Sequence, residues 1–249
     1  MPRRLHVPPE QLAQAEAAGG LVALSAEQHR YLALVLRLRP GEPVEVFDGL
    51  GARFASAVES VGDSLALRLG ARAQSAPGPV EVWLGQALAK SDKLELVIQK
   101  ATELGVARVL PFAAARSVVK LDEGRGESRT GRWRKIAQEA ARQCGRADVP
   151  VIDKPRSLRE LLALLGAEPE RRGLVLDPGE HALRLGAAAR GERKLLLVIG
   201  PEGGLSPEEV AACAEAGVTS VSLGALVLRT ETAGLAALSI VQHLAGALG

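Results

Sequence analysis

A chain of 249 residues with 47% apolar and 24% charged side chains has a globular composition with room for one large core or two modest ones, which excludes a fibrous or disordered polypeptide. The 31 Lys and Arg against 29 Asp and Glu leave a formal charge of +2, too small for a uniformly basic nucleic-acid coat. Apolar runs such as Leu195–Ile199 fall far below the ~20 residues of a membrane helix, and the start Met-Pro-Arg-Arg has no apolar leader, so a cytoplasmic protein is expected.

Residues 1–72 read as a small β-rich domain. Val44, Val46 and Phe47 run into the turn signal Asp48-Gly49-Leu50-Gly51, followed by Phe54–Val58 and by Leu65, Leu67 and Leu69 at period two. Gln74–Pro79 is dense in residues that interrupt regular structure and reads as a linker into a second domain, residues 73–249. There strands alternate with helices. Val80–Leu84 and Val106–Pro111 read as strands around a helix over Asp92–Leu104, whose Leu94, Val97, Ile98, Ala101 and Leu104 share one stripe. Trp133, Ile136, Ala137, Ala140, Ala141 and Cys144 mark another helix, and Leu174–Leu176, Leu195–Ile199 and Val218–Leu223 are short apolar runs of buried parallel strands. Thr230–Leu248 closes the chain as a nearly uncharged helix. The pattern is α/β. Cys144 and Cys213 stand far apart and the four histidines share no ligand spacing, so neither a disulfide nor a metal is expected.

Charge is uneven. Residues 1–75 are neutral, 76–160 carry +5 and 161–249 carry −3, and Arg116–Arg146 alone holds nine basic residues against four acidic. Such a patch is either a solvated helix face or a surface for phosphates. Its candidate phosphate contacts are Arg116, Lys120, Arg125, Arg129, Arg132 and Arg142. With six aromatic residues in the chain, a base-stacking platform is not expected.

Two loops carry the chemistry. In the first, strand Leu195–Ile199 passes through Gly200-Pro-Glu-Gly-Gly204 into a helix for which Ser206 is the N-cap, Pro207 the first residue and Glu209 the reciprocal capping partner. The glycines allow close backbone approach at a strand's carboxyl end, where open α/β sheets bind ligands. The spacing matches no dinucleotide or P-loop fingerprint. In the second, Leu223–Leu228 leads to Arg229-Thr-Glu-Thr-Ala233 at the start of the last helix, with Thr230 or Thr232 as N-cap. Read alone, the first loop is a tight turn with one carboxylate, and the second a capped helix with an Arg229–Glu231 surface ion pair. Read together, they converge on one ligand.

Gly200-Pro-Glu-Gly-Gly204 with Leu223-Gly-x-x-x-Leu-Arg-Thr-Glu-Thr-Ala233 resembles the SPOUT class of S-adenosylmethionine-dependent RNA methyltransferases, specifically the RsmE-type 16S rRNA uridine-N3 enzymes. His29–Arg37 with Pro40-Gly41 and Phe47-Asp-Gly49, then Gln99–Val106, and Glu139–Arg146 with Val149-Pro150 extend the resemblance nearly end to end. Leu205 stands where the family has an aromatic residue, and Ala225-Leu226-Val227 lacks the family's basic residue. The resemblance implies a PUA-like β-barrel that binds RNA, an α/β domain with a trefoil knot, a homodimer, and a uridine substrate in the small ribosomal subunit. It places S-adenosylmethionine against Leu176, Ile199, Gly200, Glu202, Gly203, Leu223, Gly224, Leu228, Thr230, Thr232 and Ala233, and adds Arg37 to the RNA contacts. Methylation at N3 needs the proton removed and charge on the uracil oxygens stabilised, for which Arg229 is the candidate cation and Glu202 the base or orienting carboxylate. A SPOUT enzyme for another RNA position, or a non-catalytic RNA-binding factor on the same fold, are the competing readings.

Overall fold

The computed structural model describes residues 3–61, 64–89, 91–117 and 123–249. The chain forms two compact units, residues 1–77 with 141–149, and residues 78–140 with 150–249. The sequence reading put the boundary at 72/73, without the 141–149 excursion.

In the first unit, β1 (Arg4–His6), β2 (Leu21–Ala23), β3 (Pro43–Phe47), β4 (Ala52–Val61) and β5 (Ser64–Gln74) form a sheet in the order β1-β3-β4-β5-β2. Only the β1–β3 pair is parallel, so the sheet is mixed. Period-two residues of its strands, Val44, Val46, Phe54, Val58 and Leu67, turn to one core with Leu12 of α1 (Pro9–Ala17) and with Leu32 and Leu38. Sequence periodicity missed α1 and α2 (Ala26–Arg30) because each is under three turns; a Ser25–Gln28 capping box starts α2. Residues 141–149 join this unit through backbone bonds of Ala147 and Val149 to the Gly49–Gly51 turn and through buried Arg4. Its guanidinium donates to the carbonyls of Ala141 and Arg142 at 3.0 and 3.2 Å, pairs with Glu45 at 2.7 Å and lies 4.7 Å above the Phe47 ring, satisfying last-turn carbonyls that a helix leaves open.

The second unit alternates strand and helix: β6 (Glu81–Ala87), α3 (Ser91–Glu103), β7 (Arg108–Ala113), α4 (Glu123–Cys144, ending in the first unit), β8 (Val151–Ile152), β9 (Arg156–Ser157), α5 (Leu158–Gly166), β10 (Arg172–Leu176), α6 (Leu185–Ala188), β11 (Lys194–Ile199), α7 (Pro207–Glu215), β12 (Thr219–Val221) and α8 (Thr230–Leu244). All strands are parallel, in the order β12-β10-β11-β6-β7-β8, with β9 also on β7. The apolar runs of β6, β7, β10 and β11 are buried along nearly their whole length, because helices cover both faces of a parallel sheet. At the amino end of β6, the Arg108 and Arg171 guanidinium groups lie 4.7 and 3.7 Å over the Trp83 ring. Arg171, almost fully buried, pairs with Glu81 at 2.6 Å, and Arg108 with Asp153 at 2.9 Å. No helix among the described residues is long and apolar enough to cross a membrane.

Close packing behind the sheet sets a sharp requirement at Gly173 of β10. A Cβ there would lie 2.7 Å from Leu165 Cδ2 and 2.8 Å from Val218 Cγ2. Gly173→Ala is therefore expected to destabilise the protein by about 1–3 kcal/mol in urea denaturation; unchanged stability would show that α5 and β12 are free to separate.

Candidate functional site

Parallel register brings four strand ends to one edge. Leu176 is level with Ile199 and with Val221, and Ile199 with Gln86. The segments leaving this edge include both glycine-containing loops, in the position where α/β sheets bind ligands. Ile199 is buried and Leu176 half-buried, giving the edge an apolar floor.

The first loop turns tightly. Gly204 N–H donates to the Pro201 carbonyl at 2.9 Å, and Gly204 has φ 69°, a backbone state that favours glycine. Ser206 caps α7 with Glu209 as its reciprocal partner, as the sequence pattern requires. The other Glu209 oxygen accepts from Ala115 N–H at 2.7 Å, and Arg116 donates to the Gly203 carbonyl at 2.9 Å. Leu205, where an aromatic residue was expected, packs against the core beside Gly200.

The second loop differs from expectation at its end. The N-cap of α8 is Arg229, which makes no side-chain cap bond, and Thr230 is the first helical residue. Neither threonine caps, because the buried Thr230 hydroxyl is committed elsewhere: it donates to the Gly200 carbonyl at 2.6 Å and accepts from Gln86 Nε2 at 2.8 Å. One hydroxyl thus ties the start of α8 to the first loop and to β6. Thr232 is exposed and half-buried Ala233 donates its N–H to the Arg229 carbonyl at 2.8 Å. Ser222 and Gly224 form a small turn through the Ser222 hydroxyl. Across Ala225–Leu228 no backbone N–H is hydrogen-bonded within the chain among the described residues, and Leu226 and Val227 are each 79% exposed.

The Arg229–Glu231 ion pair does not form. Lys93 on α3 takes the carboxylate instead, 2.7 Å from Glu202 and 3.4 Å from Glu231. Glu202, with Glu231 behind it, holds the Lys93 ammonium above the usual lysine range. The Glu231 contact is an ion pair without hydrogen-bond alignment, since Glu231 Oε2 is buried and has no hydrogen-bond partner, as is Gln86 Oε1. The Arg229 guanidinium is exposed and makes no ion pair or hydrogen bond among the described residues. Lys93 escaped sequence reasoning: it lies more than 100 residues from Glu202, and its helical spacing marks only a polar face.

Of the RNA-contact candidates, Arg116 is engaged on Gly203, Arg132 pairs with Glu95 at 2.7 Å, and Arg142 stacks 4.9 Å over Tyr31 in the first unit. Arg129 sits on α4, and Arg125 is described there only by its backbone; Lys120 lies outside the described residues. Arg37 is exposed on the first unit.

Residues 76–242 match the family model of the RNA methyltransferase domain. The ribosomal RNA small subunit methyltransferase E of Mycobacterium bovis is 37% identical over 231 residues, covering 91% of this chain and 87% of that protein. Two solved structures superpose over 98% of both chains: the enzyme of the same name from Neisseria gonorrhoeae bound to S-adenosylmethionine, with a TM-score of 0.86 and 30% identity, and a Legionella pneumophila methyltransferase in complex with that cofactor, with 0.85 and 32%.

Thr230→Val leaves the Gln86 amide and the Gly200 carbonyl without their shared partner, and is expected to cost about 2 kcal/mol in urea denaturation, within the range for orphaned buried polar groups. Thr230→Ser, which keeps the hydroxyl, recovers most of that loss; equal stability of all three proteins would refute the link.

Proposed function

The chain belongs to the ribosomal RNA small subunit methyltransferase E family, and from that premise we propose that it methylates N3 of a uridine in 16S rRNA, with S-adenosylmethionine as donor and the small ribosomal subunit as substrate. The observation that carries this reading is the sheet edge where Leu176, Ile199 and Val221 end in register and two loops are joined through Thr230.

The residues present fit the cofactor. Leu176, Ile199, Leu223 and Leu228 supply apolar walls for an adenine, and the unpaired backbone groups of Ala225–Leu228 supply hydrogen bonds to its edge. Gly200, Glu202, Gly203, Gly224, Thr230, Thr232 and Ala233 complete the proposed contacting segments, Thr230 by holding the loops. When bound, S-adenosylmethionine supplies an electrophilic methyl group.

The chain's own work is alignment, deprotonation and charge stabilisation. Arg229, exposed and unpaired among the described residues, faces the developing negative charge on a uracil oxygen. Glu202 accepts or orients the N3 proton, with its carboxylate positioned by the Lys93 ammonium at 2.7 Å.

Four finer features belong to the same proposal. The five-strand sheet of the first unit serves as a PUA-like RNA-binding barrel. A trefoil knot is supported by β10 lying between the sequence neighbours β11 and β12. A homodimer is supported by the 79% exposure of Leu226 and Val227. RNA contacts include Arg37, Arg129, Arg132 and Arg142, with Lys120 and Arg125 beside them in sequence and Arg116 doubling as a loop brace. A ribosomal substrate places the work in the cytoplasm.

Incubating the protein with labelled S-adenosylmethionine and small subunits that lack the modification is expected to yield labelled 3-methyluridine by nucleoside mass analysis. Label in another nucleoside would move the target, and no label with cofactor bound would overturn the assignment. Arg229→Gln is expected to lower kcat by about 100-fold or more with cofactor affinity intact, and Glu202→Gln with wild-type turnover would remove Glu202 from the chemistry.

A further inference from the structure

The segment after α2 is built in an unusual way. Tyr31–Val35 is a single π-helical turn, closed by Leu36 N–H to the Tyr31 carbonyl at 2.9 Å and followed by Leu38 N–H to the Leu32 carbonyl at 3.0 Å. Its two anchors, Leu32 and Leu38, are buried in the core of the first unit. Between them the chain bulges outward. Arg37 has φ 51°, the only positive φ of a non-glycine residue among the described residues, a left-handed conformation that is unfavourable for a residue with a Cβ. At the crest, Leu34 and Val35 are each 64% exposed.

A π-turn, a left-handed arginine and two aliphatic side chains turned to solvent are each unfavourable alone. Together they make an apolar tip anchored by Leu32 and Leu38. In sequence the tip itself carries only cations: residues 30–39 contain Arg30, Arg37 and Arg39 and no acidic residue, with Glu27 one turn earlier on α2. The guanidinium groups of Arg30 and Arg37 are exposed and make no hydrogen bond or ion pair among the described residues, and neighbouring Glu42 is taken by Arg3 at 2.9 Å and by the Arg39 N–H at 2.7 Å. A symmetric contact between two copies of this tip would set arginines against arginines, which disfavours a second copy as the occupant. A polyanion with flat apolar faces matches both features.

Resting on the RNA reading above, we propose that Leu34 and Val35 form a wedge that enters a base step of the RNA substrate while Arg30 and Arg37 hold the flanking phosphates. Apolar side chains inserted between bases unstack them at a cost offset by apolar burial and by the contacts that the distortion opens. N3 of a paired uridine is inaccessible, so an enzyme acting there gains from any element that opens the stack.

The test uses the full-length protein and unmodified small subunits, reading filter-binding affinity against salt, methylation kinetics and sedimentation. Leu34→Ala with Val35→Ala is expected to lower kcat/KM at least tenfold, with cofactor affinity and melting temperature unchanged. Leu34→Met, which keeps apolar bulk, is expected to retain activity, and Leu34→Asn, of similar shape but polar, to lose it. Arg30→Gln with Arg37→Gln is expected to reduce the slope of log affinity against log salt by about 1.4, the value for two phosphate contacts on a single strand. Wild-type kinetics in Leu34→Asn would overturn the wedge, as would a loss of self-association or of an acidic protein partner in place of the RNA effect. Failure of the wild-type protein itself to bind subunits would instead overturn the functional reading together with the wedge.

Discussion

A single buried hydroxyl holds the candidate site together. Thr230 bonds to the Gly200 carbonyl and to the Gln86 amide, so the strand end of β6, the glycine loop after β11 and the first turn of α8 share one point. In a low-dielectric interior such a chain is strong when complete and costly when broken. Parallel pairing makes it geometrically available: Gln86 and Ile199 are level in the sheet, which brings Gly200 within reach of the β6 side chain. The small residue Gly234 belongs to the same constraint, since a Cβ there would lie 2.9 Å from Gln86 Oε1.

Lys93 adds an electrostatic tie to that polar one. Its ammonium reaches a carboxylate from each loop, so α3 brings the two acids together without their mutual repulsion. Arg229 is left without an intramolecular partner among the described residues, because Lys93 takes both carboxylates.

The sequence displayed the parts that repeat a local rule. Buried parallel strands showed as short apolar runs, the capping box of α7 showed as Ser206 three residues before Glu209, and the amphipathic stripe of α3 placed its helix to within a residue. Features that depend on distant partners did not show. The Thr230 hydroxyl satisfies the usual N-cap preference in sequence and is diverted by Gly200, 30 residues away. Glu231 follows Arg229 by two positions, a spacing that does not face two helical side chains toward each other, and a lysine from α3 takes the carboxylate. The attachment of residues 141–149 to the first unit rests on partners distant in sequence, Arg4 reaching helix carbonyls 137 residues away and the Gly49–Gly51 turn bonding to Ala147 and Val149, for which no local pattern exists.

The same distinction governs the basic stretch from Arg116 to Arg146. Counting charges suggests a surface of free cations, whereas the structure spends several of them internally: Arg116 braces the glycine loop, Arg132 pairs with Glu95, Arg142 stacks on Tyr31 and Arg146 pairs with Asp148 at 2.5 Å. An arginine bonded within the chain must break or share that contact to meet a phosphate, so its contribution to RNA affinity is reduced by what it gives up. Exposed arginines with no internal partner carry no such penalty. On the described residues these include Arg30 and Arg37, flanking the π-turn of the β-rich unit, and Arg229, at the edge of the parallel sheet. Where a cation is left unpaired is thus more informative about the polyanion it meets than where cations are most numerous.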